Sequence, residues 1–185
     1  MAVYGRLQLL MRSVSPSASE DGFVRSIVPY LVEVWLDDYA KSASTMDVVE
    51  TTTSEFSFLF DIEAGRLIAA WGISRGKHVG ARDKSRMAGH PNSAGPRYHR
   101  GHAIPHTLGG TTDINLVPQL GNINIGPFRL LEKRAVATPG SLYFTYWTYL
   151  GAAPTQDGHP GQTPTGVDQG LLIAGNPPMI HSHSN

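Results

Sequence analysis

No cysteine occurs in the 185 residues, which removes disulfides, thiolate metal centres and thiol nucleophiles at once. Any metal ion must therefore be held through oxygen and nitrogen. Long apolar runs are missing too: none approaches the roughly 20 residues that a membrane-spanning helix requires. The opening stretch MAVYGRLQLLMRS is interrupted by Arg6 and Arg12 before a signal-peptide core is complete. The expectation is a chain with no membrane span and no export address of its own. Net charge is also absent, with 15 basic and 15 acidic residues. The length suits one domain able to bury a sizeable core without staples.

What is present is unevenly distributed. Residues 20 to 63 hold ten acids against Arg25 and Lys41, a net charge of −8, whereas residues 66 to 102 hold eight bases against Asp83, a net of +7. A basic stretch of that kind is the footprint of a face that binds a polyanion, and it also fits a solvated loop rich in Arg and Lys.

Residues 1–22, with the Ser-rich SVSPSASEDG, read as a flexible leader, 23–175 as a single domain, and 176–185 as a frayed tail. In FVRSIVPYLVEVWLDDYA, the positions Val24, Ile27, Val28, Leu31 and Trp35 have helical spacing. Pro29 and the alternation of Val32, Val34 and Leu36 instead suggest a short helix running into a strand. EFSFLFD and RLIAAWGI, joined by IEAG, read as an antiparallel hairpin with Phe56, Phe58 and Phe60 on one face. A long basic loop should follow over 74–97. GPFRLLEKRAVA reads as a helix with Pro127 in its first turn, SLYFTYWTYL as a strand and VDQGLLIA as a last strand. The fold class expected is α+β, built on an antiparallel sheet.

The stretch RYHRGHAIPHTLGGTTDINLVPQLGNINIGPFRLLEK, residues 97 to 133, concentrates three His, three Arg, three Asn and Gln119 around a Gly-Gly turn. A His beside an Arg in a loop, followed by a helix with an Asn and a Glu, suits metal-assisted phosphodiester hydrolysis. That reaction needs a base to activate water, a cation to stabilise the pentacovalent phosphate and the leaving oxygen, and an Arg to neutralise charge. Asn124 and Glu132 are eight residues apart, about two helical turns, so one helix opening near Asn124 would let both address one site. An Asn ligand suits a hard cation that keeps most of its waters, Mg²⁺ before zinc.

Here RGH, IPHTLGGTTDINLVPQ and NINIGPFRLLEK, in that order, resemble the DNA/RNA non-specific endonucleases of the ββα-metal (His-Me finger) class, whose signature is Asp-Arg-Gly-His followed by an Asn-x-Gly segment and a helical Glu. The close resemblance covers about residues 97 to 134, and a looser one extends to about residue 173. It implies an α+β fold with a ββα-metal nuclease core and a Mg-dependent endonuclease of low sequence specificity, with Mn²⁺ able to substitute. His102 would be the general base and Asn124 the one direct protein ligand of the metal. Glu132 would hold metal-bound water, and Arg100 would support the loop or a phosphate. The family's upstream phosphate-contacting Arg falls on Arg82, with Arg86 close behind, and Arg129 on the helix is a further substrate contact. The toxin-type branch of the family implies DNA or RNA as substrate, an immunity protein as partner, and either a cytoplasmic location or delivery within a secreted effector.

One position departs from the signature: His99 stands where the family has Asp. That substitution supports an alternative, a catalytically weakened nucleic-acid-binding module. Simpler roles remain open as well. His99 and His106 fit structural or supporting roles, Asn122 is the runner-up metal ligand, and Asn124 is a plausible helix cap. Asn115 fits a turn, Gly109 and Gly110 a turn with positive φ, and His181 and His183 are assigned nothing.

Overall fold

The computed structural model describes residues 1–81, 85–91, 94–155 and 157–185. Helices α1 (Leu7–Ser13) and α2 (Glu20–Tyr39) precede a run of strands β1 (Val48–Thr53), β2 (Phe56–Asp61) and β3 (Arg66–Ile73). A ribbon of β4 (Tyr98–His102) and β5 (Leu116–Leu120) follows, then helices α3 (Gly121–Ile125) and α4 (Phe128–Val136). The chain closes with β6 (Leu142–Thr148), β7 (Gly166–Leu172) and β8 (Met179–Ser184). Six strands form one antiparallel sheet in the order β1-β2-β3-β6-β7-β8, and β4 pairs with β5 as a separate antiparallel ribbon. The architecture is mixed α and β around an antiparallel sheet, the class expected.

The two central strands β3 and β6 are buried along their whole length, so both faces of the sheet are covered there. On one side lies α2, whose Phe23, Ile27, Leu31, Trp35 and Tyr39 recur every four residues and are all buried. The Trp35 ring packs 5.6 Å from Trp71 and 5.3 Å from Phe144. This face corrects the expected helix-to-strand switch: the segment is helical throughout, with Pro29 inside it. A mid-helix proline costs about 3 kcal/mol, but five large side chains enter the core from this stripe. Tertiary burial therefore overrides local propensity.

Both expected loose ends carry regular structure. Within the predicted leader, Leu7 and Met11 of α1 are buried, and Ser19 caps α2 by accepting from Gly22 N. The predicted tail pairs with β7 as the edge strand β8, and Asn185 accepts from Leu120 N at 2.8 Å and donates to Pro118 O at 2.9 Å. That last side chain ties β5 to the main sheet.

Hairpin β2–β3 forms as expected, but a register shift between Leu59 and Phe60 breaks the alternation. Phe56 and Phe58 are buried, whereas Phe60 is half-buried and lines a surface pocket. The extra residue at the shift, Ile68, lies in β3, where it interrupts that strand's own alternation.

Candidate functional site

The ribbon and the two helices after it carry most of the residues singled out in the sequence. In β4, His99 pairs with Gln119 of β5, Arg100 with Pro118, and His102 closes the strand opposite Leu116. Gly101 lies between Arg100 and His102 because a Cβ there would sit 2.7 Å from the Gln119 Cβ. Gln119 itself is fully buried, and neither end of its amide meets a hydrogen-bond partner among the described residues.

His102 ends β4 and is only 6% exposed. The loop behind it is held by Asn115, a fully buried side chain. Asn115 Oδ1 accepts from Ile104 N at 2.6 Å, and Nδ2 donates to Ile104 O and Thr111 O, each at 2.8 Å. Ala103 N donates to the Asn115 carbonyl at 2.9 Å. Asn115 is thus a clamp on the residues that follow His102. Of the two glycines, Gly109 does adopt positive φ (102°), but Gly110 does not. Gly110 is required for a different reason: a Cβ on it would collide with the Ile104 carbonyl oxygen. The His102 ring stands 6.4 Å from the His106 ring and nearly perpendicular to it, and His106 stands 5.7 Å from His78. His78 donates its backbone N–H to Thr107 O at 2.8 Å. This row of imidazoles had no signal in the sequence, because His78 arrives from the long loop after β3.

Asn124 and Glu132 do not share one helix as expected. Residues before a proline are pushed out of the helical region, and Gly126, ahead of Pro127, has φ −102° and ψ −113°. The chain therefore breaks into α3, carrying Asn122 and Asn124, and α4, carrying Arg129 and Glu132. The helices pack on each other, and α3 packs on both ribbon strands. Asn124 is half-buried, and its Nδ2 lies 3.2 Å from His99 Nδ1. Asn122 is exposed, with its Oδ1 accepting from Ile123 N.

Helix α4 buries Phe128, Leu131 and Ala135 and leaves Arg129 exposed. Gln169 of β7 anchors it by donating to Phe128 O at 2.9 Å and to the Tyr143 hydroxyl at 2.8 Å. Burial first, and the Glu132 carboxylate second, push the Tyr143 phenol well above its ordinary range. The Glu132 charge is therefore felt at the interior of β6.

Arg100 donates from Nη1 to Arg86 O at 3.1 Å, and Arg86 pairs with Asp113 at 2.9 Å. These three residues border a pocket of about 600 Å³ together with Phe60 and Tyr149. The Arg86–Asp113 pair is exposed, and such pairs contribute only about 0–1 kcal/mol, so it opens at small cost. Arg82 lies outside the described residues.

Among the described residues, no three His, Asp or Glu side chains gather to share a metal ion. The Asn124 amide oxygen is a hard donor of the kind that Mg²⁺ accepts alongside its own waters. No helix among the described residues is long and apolar enough to cross a membrane.

No family model matches the chain, and no curated protein matches it. Among solved structures, a chain in the crystal structure of the EndoG/EndoGI complex is similar, with a TM-score of 0.49 and 15% identity over 90% of this chain and 79% of that chain. A likeness at that level assigns neither the fold family nor the activity.

Proposed function

We propose that the protein is a metal-dependent endonuclease that hydrolyses phosphodiester bonds of DNA or RNA with little sequence specificity. The observation that carries the reading is the order of chemistry along one local unit. Arg100-Gly101-His102 ends the first strand of an antiparallel ribbon, and the helices that follow its second strand bring Asn124 and then Glu132.

His102 takes the proton from the attacking water, held in place by the Asn115 clamp behind it. Asn124 offers its amide oxygen to Mg²⁺ or Mn²⁺. When bound, the cation stabilises charge on the pentacovalent phosphate and on the leaving oxygen. Glu132 orients water near that position from α4. Arg100 and Arg86 neutralise phosphate charge at the pocket they border, Arg129 extends the contact from the exposed face of α4, and Arg82 belongs to the same basic segment. As in the toxin-type branch that the motif resembles, this reading assigns an immunity protein as the natural inhibitor.

Supercoiled plasmid and structured RNA provide the test. Cutting in Mg²⁺ or Mn²⁺ that stops with EDTA and leaves 5′-phosphate ends is the expected outcome. His99 in the place of an acidic residue favours a second reading, a nucleic-acid-binding module with weakened chemistry. Salt-sensitive binding without cutting in any divalent metal would support that second reading and overturn the first.

A further inference from the structure

We propose that His99 is the positioning residue for Asn124, holding the amide by its nitrogen so that the amide oxygen is left for the cation. The inference rests on the metal-dependent reading above. It starts from the contact between Asn124 Nδ2 and His99 Nδ1 at 3.2 Å. An amide nitrogen only donates, so His99 Nδ1 is the acceptor and the ring carries its proton on Nε2. The amide is planar, so a nitrogen committed to His99 directs the oxygen away from the ring.

A second feature keeps the ring in register. Gly121, the first residue of α3, lies directly beneath the far edge of the imidazole, where a Cβ would come within 2.8 Å of Nε2. Gly121 N also donates to Arg97 O at 3.0 Å, which fixes the start of α3 against the strand that carries His99. Ring, glycine and amide form one unit across β4 and α3. An Asp at position 99 would also accept from the Asn124 amide, being an acceptor when ionised. His99 therefore preserves the hydrogen-bond polarity of the signature position while changing its charge, and groups that orient a metal ligand in this way are typically worth about 10- to 100-fold in affinity.

The positioning role has two readouts, neither of them turnover, and cutting of DNA by wild type serves only to separate its failure from that of the nuclease reading. Long-range ¹H–¹⁵N correlation of the imidazoles in the full chain is expected to show His99 as the Nε2–H tautomer, and an Nδ1–H tautomer would overturn the proposal. Titration with Mn²⁺, followed by electron paramagnetic resonance, is expected to show affinity reduced about 10- to 100-fold in His99→Leu and restored to within a few-fold in His99→Asp. Equal affinity of wild type and His99→Leu, with wild type binding Mn²⁺ and cutting DNA, would sink the positioning role and leave the nuclease reading intact. A wild type that neither binds Mn²⁺ nor cuts would sink both. If His99→Leu does not fold, the tautomer measurement on wild type still decides.

Discussion

The Nδ2 of Asn124 lies 3.2 Å from Nδ1 of His99, so the residue proposed to hold the metal is tied to the one residue that departs from the signature. The glycine beneath the ring makes this relationship testable from the backbone side. Replacing Gly121 with Ala places a Cβ against the His99 ring edge and should displace it from Asn124. Mn²⁺ affinity is expected to fall about tenfold, and an unchanged titration would show that the ring tolerates displacement without consequence for the amide.

Asn115 is expected to be the costliest polar truncation near the site. Asn115→Ala removes hydrogen bonds to Ile104 N, Ile104 O and Thr111 O in a fully buried setting. Leaving such groups unpaired should cost about 3 kcal/mol, read as a shift in the urea midpoint. A shift below about 1 kcal/mol, the size of one ordinary hydrogen bond, would mean that the loop behind His102 repacks without its clamp.

Edge strand β8 should make stability dependent on pH. Burial first, and the adjacent His181 imidazole second, hold His183 below the ordinary histidine range, while Asp168 acts in the opposite direction. Its ring also packs 6.3 Å from Phe128 of α4. A histidine that binds its proton more weakly when folded leaves the unfolded chain with more bound protons below about pH 6.5. Its contribution is therefore complete above that pH and is lost as the pH falls. His183→Phe is expected to flatten the dependence of the thermal midpoint between pH 7 and pH 5, and a wild-type slope retained in the variant would remove His183 as its source.

Substrate binding should be electrostatic. Arg129 is exposed on α4, clear of its buried stripe. Arg129→Ala is expected to weaken DNA binding about equally across sequences and to lower the magnitude of the log–log salt slope by about 1. An unaltered slope would place the nucleic acid on another face.

Elements with a strong local signature were legible in the sequence. The hairpin 56–73, the strand at 142–148, and the helix after Pro127 all formed where alternation or a first-turn proline placed them. Elements decided by distant contacts were not. Pro29 concealed a helix whose stripe is buried against Trp71 and Phe144, and the last residues are tied down by Asn185, which bonds to Leu120 N and Pro118 O. The same division holds at the site. RGH, Asn124 and Glu132 stood out by type and order, whereas the Gly126 break, the Asn115 clamp and the His78–His106–His102 row depend on backbone geometry and chain crossings that residue spacing does not encode.

The most direct test of the central claim is the rate at which wild type and His102→Ala nick supercoiled plasmid in Mg²⁺, with binding measured in parallel. A general base contributes about 10²- to 10⁴-fold, so the variant should lose that much rate while retaining its affinity for DNA. Nicking by the variant at the wild-type rate would contradict the assignment of His102 as the base.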